Sequence, residues 1–277
     1  MKFATCNEPW RDEPIEEVFA TAARIGYTGV EIAPFTLAET VDEISAARRK
    51  EIVKAAGDAG VEIVGLHWLL VSPKGLHITT ADAALRQKTV DYMKKLVDFC
   101  GDLGGKVMVH GSPKQRDVEA GSTFDDAWKR ARDVFAACGP TCAERDVMLT
   151  IEALSTKETN FINTATEAAK LAEEVGHPNI GIMLDLKAMS AMPEGIIENI
   201  KRFGAKAAHF HANEPCGKGV GMPLTSDEGK NVDLKPVLAE LKASGFQGWV
   251  SVEPFDYNPD PTTVAEVGFK ALTAAVS

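Results

Sequence analysis

The sequence lacks the features that mark several classes of protein. Its five cysteines stand at positions 6, 100, 138, 142 and 216, an odd number without a paired framework, which favours a reducing compartment over a disulfide-stabilised domain. No apolar run is long enough to span a bilayer, and the N-terminus has no apolar run typical of a signal peptide. We therefore expect a cytoplasmic protein without a membrane partner.

A basic surface and a linker are also missing. The 277 residues carry a formal net charge of −10, which argues against nucleic acid or an anionic membrane surface as the main partner. The chain has no proline-rich or low-complexity linker, so we interpret residues 1–277 as one domain. It also has no Gly-x-Gly-x-x-Gly after the first strand-like segment and no clear phosphate-binding loop.

What the sequence does contain is a strict alternation of strand-like and helix-like segments. Eight apolar segments rich in β-branched residues are each followed by a segment with helical spacing. The strand-like segments are residues 2–6, 29–33, 61–68, 106–110, 147–154, 180–185, 207–211 and 249–253. Alternation predicts parallel strands, and eight units in one undivided chain predict an α/β fold, a single (β/α)8 TIM barrel, rather than an open doubly wound sheet. In the fourth helix-like segment, residues 124–145, Gly139-Pro140 predicts a kink or break.

Side chains that can bind a metal end four consecutive strands. Glu152, Asp185, His211 and Glu253 stand at the ends of strands five, six, seven and eight. In a TIM barrel the C-terminal strand ends form the active site, so these four groups should converge near the barrel axis. Three carboxylates and one imidazole suit Mn²⁺, Mg²⁺ or Co²⁺ better than a structural zinc ion.

Each of these residues also has a purely structural interpretation. Glu152 could form a salt bridge at the rim, Asp185 could cap a following turn, and Glu253 could cap a helix before Pro254. The coincidence of all four at adjacent strand ends favours the metal site.

Other histidines and one long loop are further candidates. His67 and His110 end strands three and four and are expected to point into the same cavity, either as substrate contacts or as structural hydrogen-bonding groups. His209 shares a face with His211 one layer deeper and is expected in the core or behind the ligands. The glycine-rich residues 212–232 are long enough for a lid, although they could equally be a mobile excursion.

Four short motifs surround the candidate ligands: Ile151-Glu-Ala-Leu followed by Glu158-Thr159, Leu184-Asp185, His209-Phe-His-Ala-Asn213 and Val252-Glu-Pro-Phe255. Together they resemble the xylose-isomerase-like TIM-barrel superfamily, in particular the ketose 3-epimerases, with hydroxypyruvate isomerase beside them. The resemblance implies that Glu152, Asp185, His211 and Glu253 bind one divalent ion, usually Mn²⁺ or Mg²⁺, with Co²⁺ or Zn²⁺ as alternatives. It also implies that Glu152 and Glu253 carry the proton transfers, that Glu158 contacts the substrate, and that barrels pair into homodimers or homotetramers.

The chain departs from these relatives at two positions. The epimerases commonly place a substrate-binding histidine three residues after the metal-binding aspartate, where this chain has Ala188 with Lys187 beside it. They also tend to carry an arginine in the loop after strand seven, where this chain has Cys216-Gly-Lys218-Gly. Lys187 is therefore a candidate substrate contact, and ordinary ketohexoses are expected to be poor substrates.

These observations predict a divalent-metal-dependent isomerase or epimerase of carbohydrate metabolism. Its substrate would be a ketose or a related polyhydroxy carbonyl compound, and the proton transfer would pass through an enediolate. Two alternatives remain at this point: a metal-dependent lyase or dehydratase acting on a keto-sugar or keto-acid, and a sugar-binding barrel without catalysis. An abasic-site endonuclease would need more histidine ligands than the six histidines here supply, and a basic surface.

Overall fold

Eight parallel strands close into a barrel in the order of the sequence, and β1 pairs with β8 to complete it. The structure is a computed structural model that describes all 277 residues. The strands are β1 (Lys2–Cys6), β2 (Gly29–Ile32), β3 (Glu62–Leu66), β4 (Val107–His110), β5 (Met148–Ile151), β6 (Ile180–Asp185), β7 (Ala207–Ala212) and β8 (Trp249–Val252). The (β/α)8 TIM barrel predicted from the alternation is confirmed.

Nine helices surround the barrel. They are α1 (Ile15–Ile25), α2 (Ala46–Ala59), α3 (Ala83–Asp102), α4 (Phe124–Arg145), α5 (Ala165–Val175), α6 (Leu186–Ser190), α7 (Gly195–Phe203), α8 (Leu234–Ala243) and α9 (Pro261–Val276). The short α6, directly after β6, was not expected from the sequence. None of the nine helices combines the length and the apolar character that a membrane crossing requires.

The helix boundaries follow local chemistry. At the start of α5, Thr164 and Glu167 form a capping box, in which each side chain accepts a hydrogen bond from the backbone N–H of the other residue. At the end of α1, Gly26 adopts a left-handed conformation with φ of 117°, which a side chain would disfavour.

The expected break at Gly139-Pro140 is wrong, because α4 continues through Pro140 to Arg145. Val134, Phe135, Cys138 and Cys142 are buried on both sides of this proline, and their packing holds the helix on the barrel. Tertiary packing therefore outweighs the missing backbone hydrogen bond.

The interior of the barrel changes from apolar to polar along the strands. Ala4, Val64 and Val107 form a small apolar cluster inside the barrel. This cluster is separate from the main hydrophobic core of 66 buried residues. Further along the strands, Glu31 and His209 are buried and in contact with each other. The polar part lies toward the C-terminal strand ends, and this is where the candidate site lies.

Candidate active site and metal centre

The structure brings the four strand-end residues Glu152, Asp185, His211 and Glu253 together. One ligand atom from each lies within 4.8 Å of the ligand atoms of the other three, and all four residues are buried. His211 Nδ1 lies 3.0 Å from Glu253 Oε2 and 3.5 Å from Glu152 Oε1. Glu152 and Glu253 directly follow β5 and β8, so β6 and β7, which carry the other two groups, lie between them.

The electrostatics of this cluster fit a divalent cation. Burial, together with the charges of Glu152 and Glu253, raises the pKa of Asp185 to about 7. Burial also raises the pKa of Glu152, against the opposing effect of His211. Three carboxylates so close together repel one another, and a dication with oxygen and imidazole ligands relieves that repulsion. The donor set therefore suits one Mn²⁺, Mg²⁺, Co²⁺ or Zn²⁺ ion.

Asp185 is oriented by hydrogen bonds to both of its oxygens. Its Oδ1 accepts from the backbone N–H of Ala188 at 2.6 Å, so that Asp185 is also the N-cap of α6. Its Oδ2 accepts from Asn213 Nδ2 at 2.9 Å, and Asn213 Oδ1 in turn accepts from the backbone N–H of Lys187 at 2.9 Å. The capping and metal-site interpretations of Asp185 are thus compatible, because a carboxylate oxygen has lone pairs for both.

His67 lies between two carboxylates. Its Nδ1 is 3.2 Å from Glu253 Oε1, and its Nε2 is 3.0 Å from Glu8 Oε2. All three residues are at most 5% exposed. Burial opposes a charged imidazole, but Glu8 and Glu253 outweigh it and raise the pKa of His67 to about 10. Glu8 follows β1 and was missed from the sequence, since nothing near it in the chain indicates a contact with a residue 59 positions away.

Glu31 lies beneath the cluster of Glu152, Asp185, His211 and Glu253 and was also missed. This β2 residue is fully buried, with its Oε2 2.8 Å from His209 Nε2 and 3.2 Å from His211 Nε2. Burial alone would raise the pKa of Glu31, but the two histidines hold it well below its ordinary value. His209 occupies the deeper layer that strand alternation indicated. The sequence signal for Glu31 was an acid within the apolar strand Gly29-Val-Glu-Ile.

His110 does not share the cavity of His67, contrary to expectation. Val109 faces the pocket, so the next residue on the strand points outward, where His110 packs against Phe135 with ring centroids 5.5 Å apart. Burial and the nearby Arg116 keep the pKa of His110 well below its ordinary value. Arg116, which was missed from the sequence, is 1% exposed and donates hydrogen bonds to the backbone carbonyls of His110 and Glu152. It thereby ties the ends of β4 and β5 together.

A pocket opens onto the cluster. Three of the four cluster residues line it, together with His67, Trp68, Glu158, Lys187 and Phe255 and with a wall of small and apolar residues. Lys187 Nζ is 2.5 Å from Glu158 Oε1 and lies 5.0 Å from the centre of the Phe255 ring. Glu158 Oε2 accepts from the backbone and the hydroxyl of Ser155 at 3.1 and 2.7 Å. Both oxygens of Glu158 are therefore occupied in holding the pocket wall.

The loop after β7 is organised by a buried glutamate. Glu214 Oε1 accepts from Gly221 N at 2.8 Å and from Asn231 Nδ2 at 2.9 Å, and its Oε2 accepts from Val232 N at 3.0 Å. Lys218 pairs with Glu228 at 2.9 Å. No residue of this loop lines the pocket, so the loop does not cover the site in this conformation.

Comparison with known proteins identifies the family. A family model described as xylose isomerase-like TIM barrel matches residues 19–275. The chain belongs to the xylose isomerase-like TIM barrel family. A curated relative in this family, a probable ketose 3-epimerase of Synechocystis sp., is 24% identical over 261 residues, covering 93% of this chain and 85% of that protein.

Solved structures of two epimerases have the same fold. A D-psicose 3-epimerase crystallised in the presence of D-fructose superposes with a TM-score of 0.84 at 19% identity, covering 99% of this chain and 98% of that one. The apo form of a 3-keto-D-glucoside 4-epimerase from E. coli superposes with a TM-score of 0.82 at 18% identity, covering 100% of this chain and 98% of that one.

The two departures from the xylose isomerase-like epimerases can now be placed. Ala188 is 2% exposed within the apolar core and does not line the pocket. The neighbouring Lys187 lines it instead, on the side of Asp185 that strand alternation also indicates, although α6 begins directly after Asp185. Lys218, in the loop where the resemblance predicts an arginine, is engaged with Glu228 and lies outside the pocket.

Proposed function

We propose that this protein is a divalent-metal-dependent epimerase or isomerase of ketoses or ketose derivatives, which moves a proton on a carbon next to a carbonyl group. The observation that carries the proposal is the convergence of Glu152, Asp185, His211 and Glu253 at the floor of one pocket. The relationship to a probable ketose 3-epimerase supports it. We propose Mn²⁺ or Mg²⁺ as the ion, since hard oxygen ligands outnumber the single imidazole.

A proton on a carbon next to a carbonyl group is too weakly acidic for a free carboxylate to remove it quickly. A divalent ion held by these four side chains would supply a Lewis acid that stabilises the enediolate charge. Glu152 and Glu253 would act as the proton-transfer groups, because both carboxylates line the pocket and come from opposite ends of the four-strand set. Two carboxylates on opposite faces of the reacting carbon give epimerisation, whereas return of the proton to the neighbouring carbon gives isomerisation.

The rest of the pocket suggests how the substrate is held. Lys187 has N–H groups left after its contact with Glu158, and the indole N–H of Trp68 has no acceptor within the protein. We propose that these two donors bind substrate oxygens, that His67 positions Glu253, and that Glu158 acts mainly by holding Lys187. His110, outside the pocket, is retained only as a structural residue.

We propose that the substrate range extends beyond free ketoses. The E. coli structural neighbour is named for a glucoside substrate, so a substituted ketose also belongs in the proposed range. We propose better activity on such a derivative than on a free ketohexose, because Lys187 and Ala188 replace the groups expected from the epimerases.

The test is proton exchange at carbon. Free ketohexoses, substituted ketoses and keto-acids are incubated in D₂O with the protein and Mn²⁺, and NMR follows deuterium entering the substrate and the appearance of new isomers. Deuterium uptake with an epimer or an aldose as product supports the proposal. A stoichiometric eliminated fragment would instead identify the lyase alternative. Binding without any exchange across the panel would identify a non-catalytic barrel.

A control variant separates this chemistry from contamination. Glu62→Gln changes an exposed residue at the opposite end of β3, where Glu62 pairs with Lys2. This variant should exchange protons at the rate of the unmodified protein, while Glu253→Gln should not.

A further inference from the structure

Glu31 is an acid inside the barrel that contacts His211, one of the proposed metal ligands. It is not itself a proposed ligand, and it does not line the pocket. Its carboxylate is fully buried and is surrounded by His209, His211 and the thiol of Cys6, whose Sγ lies 3.6 Å from Oε2. His211 Nε2 lies 3.2 Å from Oε2 and 3.3 Å from Oε1, so this imidazole faces both oxygens. A buried carboxylate requires donors, and these imidazoles supply them.

The contact between Glu31 and His211 determines which nitrogen of the imidazole ring carries the proton. A neutral histidine has one protonated ring nitrogen and one ring nitrogen with a free lone pair. The hydrogen-bond partner of either nitrogen determines which of the two carries the proton. Both oxygens of a carboxylate accept hydrogen bonds, so the nitrogen facing Glu31 must carry the proton. In His211 that nitrogen is Nε2, while Nδ1 faces Glu253 and Glu152 at 3.0 and 3.5 Å.

We propose that Glu31 is a positioning residue that holds His211 in the Nε2–H tautomer and so leaves the Nδ1 lone pair free to bind the ion. This inference rests on the proposed metal site. His209 donates to the same Glu31 oxygen from the deeper layer, at 2.8 Å, and anchors the carboxylate from the side away from the site. Glu31 and His209 thus form a polar support that fixes the orientation of a ligand on β7 from β2, across the interior of the barrel.

The first test needs no variant. Protein labelled with ¹⁵N at histidine is loaded with Zn²⁺, which is diamagnetic, and long-range ¹H–¹⁵N spectra assign the proton and the metal on each ring. The expected result is a proton on Nε2 and metal on Nδ1 of His211. Metal on Nε2, or a proton on Nδ1, would overturn the inference whatever any mutant does.

The second test uses Glu31→Gln, which keeps the size of the side chain but leaves one acceptor and adds a donor. Loss of an outer partner of a metal-binding histidine typically weakens metal affinity by about 10- to 100-fold. We expect a loss of this size in the affinity for Mn²⁺ and Co²⁺, together with a mixture of His211 tautomers in the metal-free protein at a pH where the ring is neutral. An unchanged affinity with an unchanged tautomer would overturn the role.

Controls distinguish this role from general damage and from failure of the metal site. Glu62→Gln, an exposed change of the same type, should leave affinity and tautomer unaltered. His209→Gln keeps the Glu31–His211 contact and should shift affinity less than Glu31→Gln; an equal or larger loss would assign the effect to the buried cluster as a whole. If the unmodified protein binds no divalent metal, the proposed metal site itself is wrong. If the unmodified protein binds metal and Glu31→Gln binds it with the same affinity, only this inference is wrong.

Discussion

Gly111 leaves the space in which the carboxylate of Glu152 lies. A Cβ atom added to Gly111 would come within 1.7 Å of Glu152 Oε2 and 3.0 Å of its carboxyl carbon. Gly111 follows β4 and Glu152 follows β5, so neighbouring strand ends bring them into contact. The absence of a side chain at position 111 is therefore part of the candidate site.

Gly111→Ala is expected to displace Glu152 while leaving the fold intact. Because the new methyl group overlaps a proposed metal ligand, the affinity for Mn²⁺ should fall by about tenfold or more, which corresponds to ~1.4 kcal/mol. Metal titration by calorimetry measures this, with near-UV circular dichroism as the check on folding. Gly57→Ala is the matched control, since nothing lies within 4 Å of a Cβ atom at that position in α2. Equal affinities in the two variants would contradict the close approach.

Glu152→Gln and Glu253→Gln should each lower turnover by about 100-fold or more. General acid–base groups typically contribute 10²- to 10⁴-fold, and each change also removes a negative charge from the ion's ligands. Turnover is measured at saturating Mn²⁺, so that weakened metal binding does not by itself account for the loss. If either variant keeps a near-normal rate under these conditions, the replaced glutamate is not a proton-transfer group.

Metal removal should abolish activity and lower the melting temperature. A ligand present at 100 times its dissociation constant stabilises the folded state by about 2.7 kcal/mol, which for a chain of this size corresponds to roughly 5 °C or more. Thermal unfolding with chelator and with added Mn²⁺ measures the shift, and elemental analysis gives the ion content. Asp185→Asn, which removes one ligand charge, should show a smaller shift. Full activity in chelator, with no divalent ion found, would refute the metal site.

Lys187→Met should reduce kcat/KM by about 10- to 100-fold. A hydrogen bond to a charged group contributes ~1.5–3 kcal/mol. Methionine keeps an unbranched side chain while removing the N–H donors and the ammonium that lies 5.0 Å from the centre of the Phe255 ring. Lys218→Met is the control, because Lys218 also forms an ion pair with a glutamate but lies outside the pocket. Steady-state kinetics on the best substrate of the panel compares the two. If both lysine variants behave alike, Lys187 does not contact the substrate.

Glu214→Ala should destabilise the loop after β7. The change removes the charged acceptor of two backbone N–H groups and of one side-chain amide, and a hydrogen bond to a charged group contributes about 1.5–3 kcal/mol. We expect ~3 kcal/mol lower stability in urea, together with faster proteolysis within residues 215–231. Glu144→Ala, at an exposed position of α4, should change neither quantity. Unaltered proteolysis of Glu214→Ala would show that the loop is held by other contacts.

Local patterns were sufficient for the architecture and for the proposed ligands. The alternation between strand-like and helix-like hydrophobic periodicity predicted the barrel, because each βα unit is built from contacts within a short stretch of chain. Glu152, Asp185, His211 and Glu253 could be predicted to meet because each ends its own strand, and a parallel barrel gathers those ends at one rim. The helix α6 was missed because it is one turn long and begins at a side chain that also belongs to the site.

The sequence by itself thus determined the barrel, the strand ends, and the three carboxylates and one imidazole that meet there, since these follow from hydrophobic period and element order. Only the tertiary structure decided which side chains support them. Glu31 meets His209 and His211 across 178 and 180 residues, and Arg116 reaches the carbonyl of a different strand end. Such contacts depend on strand register and on the direction each side chain takes inside the closed barrel. A shift of one residue along a strand reverses that direction, which is why His110 points out while His67 points in.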